Sequence, residues 1–300
     1  RDAQESRGLG DVYKRQAFFI ALQIMSNHVQ MSYYFLFVIL FIAGAYFEDA
    51  WRNKTLPRFF KASAVLLVAA LIGVAANLSN LYHTYTYSKE TMRGKSELVQ
   101  TGDAAKQTSS GLDRDYITNW SYGIGETWTL LVPNFKGGSS SAPLSQSEAA
   151  MEKANPMYGS LYNSLPQYFG SQPWTAGPVY VGAFVLFLFV LGCFIVKGPL
   201  KWALLGATFF SIVLAWGKNF MPLTDFFIDY VPMYNKFRAV SSILVIAEFT
   251  IPLLAIFALK RVLEEPGIWK ANKKAFGISL ALTAGVALLL TVAPGSLGSG

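Results

Sequence analysis

Residues 241–259 read SSILVIAEFTIPLLAIFAL, and this apolar run sets the class of protein. A helix rises about 1.5 Å per residue, so a hydrocarbon layer about 30 Å thick requires roughly 17 to 25 mostly apolar residues. The run meets that requirement, and its one charged side chain is Glu248. A carboxyl group at membrane depth is costly and usually has a partner in the protein interior or carries a proton. The run therefore predicts a transmembrane helix that contains one unusual acid.

Five further runs of similar length occur in the chain, and none contains a charged residue. These are residues 31–47, 62–82, 179–196, 202–217 and 275–293. The composition agrees, because only 14% of the 300 residues are charged, against about 25% in soluble domains, and mean hydropathy is +0.35. The sequence therefore predicts an all-α polytopic membrane protein with about six transmembrane helices.

The two ends of the chain predict that it is a fragment of a larger protein. Residues 1–16 are polar, include RGLGDVYKRQ, and resemble an appended adapter-like leader, with a natural cytoplasmic arm as the alternative. The far end stops in PGSLGSG after an apolar run. We therefore expect four parts. They are a non-native leader at 1–16, transmembrane helices at 17–82, a long loop at 83–178 and further transmembrane helices at 179–300.

The distribution of lysine and arginine predicts the orientation of the spans. Eleven basic residues lie in three connections, 48–61, 197–201 and 260–274, whereas 218–240 holds three. Positively charged flanks stay in the cytoplasm, so these three connections are predicted inside and the long loop outside. They also hold four acids, which leaves a surplus of seven that equals the net charge of +7. The basic character thus reflects topology and attraction to anionic lipid, and indicates no nucleic-acid partner.

The long loop, 83–178, contains two blocks rich in aromatic residues on either side of GGSSSAPLSQSEAA, which is predicted to be flexible. Aromatic faces stack on sugar rings, while phenol and indole groups satisfy sugar hydroxyls, so such blocks suit glycan binding. The alternative is an aromatic belt at the level of the lipid headgroups. The predicted ligand contacts in these blocks are Trp120, Tyr122, Trp128 and Tyr168.

Glu126 is the weak catalytic candidate in this loop, because it lies between Trp120 and Trp128 at the predicted start of a helix. A carboxylate there could act as a general base if burial raised its pKa toward neutrality. The alternative is a favourable negative charge at a helix amino terminus.

Two more sets of polar side chains lie just before or at the start of predicted spans on the outer side. His28, Gln30 and Tyr33 could bind a phosphate or a sugar, or could form local hydrogen bonds at the interface. Arg238 is the predicted ligand of a lipid-linked phosphate, since a guanidinium matches phosphate in two places. Its alternative is a side chain that extends to lipid headgroups without a specific ligand.

Metal and disulfide chemistry have little support in the sequence. Cys193 is the single cysteine, which excludes a disulfide framework, and the two histidines argue against a histidine-rich metal site. No cofactor or metal ligand set is evident, although a divalent metal would suit phosphate chemistry.

Four strings in order, NHVQMSYY, WSYGIGETWTLLVPNFKGG, LPQYFGSQPWTAGPVYVGA and VPMYNKFRAVSSILVI, resemble the YfhO-like family of bacterial polytopic membrane proteins. That family is similar to glycosyltransferases of the GT-C architecture, which move a sugar from a polyprenyl phosphate to an acceptor on the outer face. The resemblance implies the bacterial inner (cytoplasmic) membrane, a lipid-linked sugar donor and a surface glycopolymer acceptor. It also implies a catalytic carboxylate in a first outer loop, which we expect upstream of this fragment.

Two functions of other classes remain open. One is a transporter or flippase that moves lipid or sugar without bond formation, and such proteins usually show internal repeats and interrupted helices. The other is a non-catalytic membrane scaffold whose outer loop recruits partners. Whether the chain is an enzyme is therefore left open by the sequence.

Overall fold

The computed structural model describes residues 2–91 and 111–292. Within these ranges the regular elements are helices, and the only β pairing is two isolated bridges, Phe135 with Gly137 and Pro143 with Pro166. The predicted all-α class is confirmed for this part of the chain. The chain divides into two compact units, each described by itself. The first unit holds residues 1–114 and 235–237, and the second unit holds 115–234 and 238–300.

Four helices of the described chain are long and apolar enough to cross a membrane, or up to five if one bent pair is a single span. The four are Val29–Arg52, Leu56–Ala75, Val240–Glu264 and Lys273–Val292, and the bent pair is Pro199–Ala215 with Gly217–Tyr230. The sequence predicted six. The predicted run that does not form such a helix is 179–196. It forms a helix of only 13 residues, Ala183–Ile195, which is shorter than a typical span. The predicted 275–293 ends one residue beyond the described range.

The first unit contains α1 Asp2–Met25, α2 Val29–Arg52, α3 Leu56–Ala75 and α4 Leu78–Lys89. Helix α1 continues through the predicted boundary after residue 16. It packs closely on α3 because Gly73 has no side chain: a Cβ there would lie 2.8 Å from Ile20 Cγ2. The Asn77 amide donates to the Ala21 carbonyl at 3.0 Å and marks a break inside the predicted run 62–82.

The second unit begins with three short helices. The short helices are α5 Arg114–Thr118, whose first residue belongs to the first unit, α6 Glu148–Met151 and α7 Gly159–Tyr162. The later helices are α8 Ala183–Ile195, α9 Pro199–Ala215, α10 Met221–Tyr230, α11 Val245–Glu264, α12 Ile268–Ala271, α13 Lys273–Leu280 and α14 Val286–Val292. Helices α9 and α10 have proline in the first turn, where the missing N–H is not needed.

The core of the second unit lies between α8, α9 and α11. Leu191, Leu204 and Leu254 from these three helices are fully buried there. Thr208 and Thr250 join α9 to α11 through hydroxyl groups 2.6 Å apart. Such polar links between helices stabilise a bundle in lipid, where association cannot rely on the hydrophobic effect.

The loop between α5 and α8 is held together by backbone hydrogen bonds across its predicted flexible middle. Gln167 N donates to Ala142 O at 2.9 Å, and Leu144 N donates to Leu165 O at 2.7 Å. Gly137 is required at this crossing, because its φ is +81° and a Cβ would lie 1.8 Å from the Gln167 carbonyl oxygen. The two aromatic blocks are therefore fixed relative to each other within the second unit.

Candidate functional site

The site is built where segments 116–129, 168–174, 215–219 and 238–241 meet in the second unit. Two backbone hydrogen bonds join them: Tyr122 N donates to Ala215 O at 2.8 Å, and Ser241 N donates to Trp120 O at 3.1 Å. Because these partners are distant in sequence, the loop is attached to the ends of two apolar helices. Residues from four separate parts of the chain thus share one surface.

One part of this surface is the aromatic–arginine cluster, which consists of the half-buried Tyr116 and Trp120 and the exposed Trp174 and Arg238. The Arg238 guanidinium carbon lies 5.7 Å from the ring centroids of both Tyr116 and Trp120, and Arg238 Nη1 donates to Tyr116 Oη at 2.8 Å. Trp120 Nε1 donates to the Trp174 carbonyl at 3.2 Å, with the two rings edge to face. The guanidinium is therefore held by ring faces while its residue stays exposed.

Arg238 lies outside the helix that follows it. Ala239 adopts a left-handed conformation with φ of 57°, and a tight helical turn begins at Val240. Glu248, in the first turn of α11, is exposed on the surface of the described chain. Arg238 is thus presented from an irregular segment, where a left-handed residue redirects the backbone.

Glu126 lies beneath this surface and is only 2% exposed. Its carboxylate accepts a hydrogen bond from the Tyr168 hydroxyl through Oε1 and from the Gly123 N–H through Oε2. The Tyr168 hydroxyl in turn accepts from Gln172 N at 2.8 Å. This arrangement ties residues 168–172 of the second aromatic block to the first block.

Two glycines make room for this carboxylate. A Cβ on Gly170 would lie 1.8 Å from Glu126 Oε1 and 2.3 Å from the Tyr168 hydroxyl. A Cβ on Gly123 would lie 2.7 Å from Ser171 Oγ. Burial, and then the hydrogen bond to Glu126, raise the pKa of Tyr168, so the phenol stays protonated as the donor.

Two other predicted aromatic contacts, Tyr122 and Trp128, are buried in the loop to different degrees. Tyr122 is 3% exposed, and its hydroxyl contacts the Thr129 hydroxyl. Burial raises the pKa of Tyr122. Trp128 is partly buried in the tight helix Gly125–Leu130, and its carbonyl accepts from Leu131 N at 3.0 Å. Tyr122 is therefore a packing residue in this structure.

The bend between α9 and α10 supports the site from below. The two helices meet at 107°, with Gly217 at φ of +47°. The loop supplies a partner for the bent backbone, since Ser121 Oγ accepts from Lys218 N at 2.8 Å. It also binds a side chain at the bend, since Trp216 Nε1 donates to Thr127 Oγ1 at 3.0 Å. Irregular backbone near a membrane is tolerated where protein satisfies its polar groups.

The remaining predicted residues lie in the first unit. His28 is exposed and precedes α2 without capping it through its side chain. Gln30 Nε2 donates to the Tyr34 hydroxyl at 2.9 Å, and the Tyr33 ring lies 5.1 Å from that of Phe237. The predicted set is therefore divided: these three belong to one unit, and Glu126, Trp120, Tyr122, Trp128, Tyr168 and Arg238 belong to the other.

Metal ligands do not gather in the described residues, where no group of three or more histidine, cysteine, aspartate or glutamate residues could hold an ion. The suggested divalent metal stays a prediction.

Sequence reasoning missed three residues that shape the site: Gly170, Ser121 and Gln172. Gly170 appears in the sequence only as a loop glycine, and its contact with Glu126 joins positions 44 residues apart. Ser121 Oγ reaches the backbone of a residue 97 positions later. No local sequence pattern predicts contacts between residues so far apart in the chain.

Comparison of the chain with protein-family models, with curated proteins and with solved structures found no match.

Proposed function

We propose that the second unit binds a phosphate-linked sugar on a polyprenyl carrier, as part of a membrane glycosyltransferase that acts at the outer face of the bacterial inner membrane. The observation that carries this proposal is the aromatic–arginine cluster. Arg238 offers a fixed guanidinium for a phosphate, and Trp174, 56% exposed, offers a ring face for a sugar. The resemblance to the YfhO-like family supports the same reading.

The proposed reaction transfers the sugar from the carrier to a surface glycopolymer. An acceptor hydroxyl attacks the anomeric carbon, the bond from that carbon to the phosphate oxygen breaks, and polyprenyl phosphate leaves. The hydroxyl proton passes to a carboxylate, which the resemblance places in a first outer loop. Glu126 is assigned a positioning role, because both of its oxygens already accept hydrogen bonds from Tyr168 and Gly123.

The finer topology belongs to the same proposal. It has about six crossings, with residues 83–178 forming one long outer loop and the basic connections inside. Within that loop, residues 92–110 lie outside the described range. A divalent metal would neutralise phosphate charge during transfer.

The test replaces Arg238 in the complete gene. We expect Arg238→Ala to abolish most glycopolymer modification and Arg238→Lys to restore a part, because lysine keeps the charge and loses the planar fork. Mass spectrometry of the surface glycopolymers measures both. Arg58→Ala is the matched control, since Arg58 is an exposed arginine of a predicted inner connection. Unchanged glycopolymers in Arg238→Ala cells would contradict the proposal.

A transporter is the second candidate, and the bent helix pair favours it. Discontinuous helices often border the substrate site of secondary transporters. The purified full protein in vesicles separates the two functions. A glycosyltransferase forms a covalent sugar product from donor and acceptor, whereas a transporter moves labelled lipid-linked sugar across the bilayer without forming one.

A further inference from the structure

Helix α4, Leu78–Lys89, is less exposed on one face than on the others. Leu81, Thr84 and Ser88 are half-buried along that face. The preceding Asn77 amide donates to the Ala21 carbonyl at 3.0 Å, and the Asn80 amide donates to Asn27 Oδ1 at 3.3 Å. Helix α4 is therefore attached to the rest of the first unit at its beginning.

A second face of α4 is an exposed stripe, which we call the Leu78 stripe. Its members, Leu78, Tyr82, Tyr85 and Lys89, recur at helical spacing and therefore line one side of the helix. Leu78, Tyr82 and Tyr85 are 62%, 63% and 60% exposed. Lys89 Nζ lies 4.3 Å from the centroid of the Tyr85 ring, so the stripe ends in a cation next to an aromatic ring.

The position of α4 in the chain locates this stripe relative to a bilayer. Helix α3, Leu56–Ala75, is a candidate membrane span of 20 residues, and at 1.5 Å per residue that length matches a hydrocarbon core about 30 Å thick. Arg58 and Lys61, in the first turns of α3, belong to the predicted inner connection, so the crossing stretch begins near Ala62. About 20 residues from there bring the outer boundary of the hydrocarbon to the first part of α4.

We propose that the Leu78 stripe contacts the phospholipid headgroup layer beside α3, with Leu78, Tyr82 and Tyr85 at the hydrocarbon boundary and Lys89 near the phosphates. Tyrosine is enriched at this depth because its ring is apolar and its hydroxyl is polar. Lysine suits it because an apolar stem carries a charged tip to the phosphates. This inference is independent of the proposed function, since it concerns a surface of the first unit and no sugar or reaction.

Tyr87 provides a matched control on the same helix. It is the same residue type, it is 74% exposed, and it lies about half a turn from Tyr85. Its exposed fraction is similar to those of Tyr82 and Tyr85, so a large difference in solvent reactivity among the three must come from something other than the described residues.

The experiment is hydroxyl-radical footprinting of the unsubstituted chain in phosphatidylcholine nanodiscs that hold one chain each. Tandem mass spectrometry then measures the oxidation rates of the three tyrosines. We expect Tyr87 to be oxidised severalfold faster than Tyr82 and Tyr85. Equal rates would overturn the proposal. One chain per disc prevents a second copy from giving the same protection. If the two tyrosines are protected only in discs that hold several chains, the stripe mediates self-association, and the proposal of lipid contact is overturned.

A second measurement locates the stripe directly in the lipid. In a Cys193→Ala background, Tyr85→Cys and Tyr87→Cys are labelled with the same environment-sensitive fluorophore and placed in nanodiscs containing brominated phosphatidylcholine. We expect the label at position 85 to be quenched severalfold more than the label at position 87. Equal quenching would contradict lipid contact, whatever the outcome for glycosyl transfer.

Discussion

Glu126 is a buried carboxylate, and its chemistry follows from its hydrogen-bond partners. A buried carboxylate requires donors for its oxygens, because an unsatisfied buried acceptor costs about 1–3 kcal/mol or more when charged. Tyr168 and the Gly123 backbone supply those donors. Through Tyr168 the carboxylate holds the turn that leads to Trp174.

We predict that Gly170→Ala destabilises the second unit, because the new Cβ would overlap Glu126 Oε1 and the Tyr168 hydroxyl. Overpacking of this kind costs about 1–3 kcal/mol. Thermal unfolding in detergent measures the change. Gly177→Ala is the control in the same loop, since no atom lies within 4 Å of its would-be Cβ. Equal stability of the two variants would show that the carboxylate site adjusts freely.

We also predict that stability falls at alkaline pH through Tyr168. Its pKa is raised in the folded state, by burial first and by the bond to Glu126 second, whereas an unfolded tyrosine titrates near pH 10. The folded state holds the proton more tightly, so this contribution is complete below about pH 10 and is lost as pH rises further. Burial also raises the pKa of Tyr122 in the folded state, so Tyr122 contributes to the same loss of stability at alkaline pH.

The free energy of unfolding as a function of pH tests this assignment. Tyr168→Phe should show a shallower alkaline decline than the parent chain, because one contributing phenol is gone. Tyr158→Phe, at an exposed position of the same loop, should follow the parent chain. A Tyr168→Phe curve parallel to that of the parent would refute the assignment.

At the scale of elements, the bend between α9 and α10 depends on a residue from the loop. Lys218 N would have no helical partner at such a turn, and Ser121 Oγ accepts its hydrogen bond at 2.8 Å. Thr224 closes the other side, since its hydroxyl donates to Gly217 O at 2.9 Å. The bend is therefore a joint product of a helix pair and a loop.

We predict that Gly217→Ala disrupts this joint strongly. The added Cβ would lie 2.1 Å from Ser121 Oγ and 2.5 Å from Val240 Cγ2, in a backbone conformation that disfavours any side chain. Gly267→Ala is the control, because Gly267 also has a positive φ, +84°, but no neighbour within 4 Å. The control should lose about 1–2 kcal/mol from the left-handed conformation alone, and Gly217→Ala should lose more. Chemical unfolding in mixed micelles compares them.

The elements that sequence predicted best are those whose signal is local. The run 241–259 lies within the observed helix Val240–Glu264, because a long apolar segment specifies a helix without help from elsewhere. The run 202–217 showed its apolar character but not its bend, since the partner of Lys218 is Ser121. At the site, the sequence indicates Arg238 and Trp120 as candidates, whereas the contact of Arg238 with Trp120 and Tyr116 and the burial of Tyr122 depend on the folded chain.

At the scale of the whole molecule, the excess of positive charge in three connections predicts which ends of the helices face the cytoplasm. We expect Ser160→Cys, in the loop, to react with a membrane-impermeant thiol reagent on intact cells, in a Cys193→Ala background. Lys270→Cys should react only after permeabilisation. Both positions are exposed, so the difference reports sidedness. The reverse pattern would invert the topology and remove the proposed outer site.

The joint between Ser121 and the bent helix also has a consequence for biosynthesis. The chain is made from its amino terminus, and earlier segments fold first. Ser121 precedes Lys218 by 97 residues. The hydroxyl that accepts the hydrogen bond from Lys218 N has therefore left the ribosome when the bent segment is translated. The order of residues along the gene thus places the hydrogen-bond acceptor, Ser121, before the bent segment that needs it. A circular permutation that placed the loop last would reverse this order.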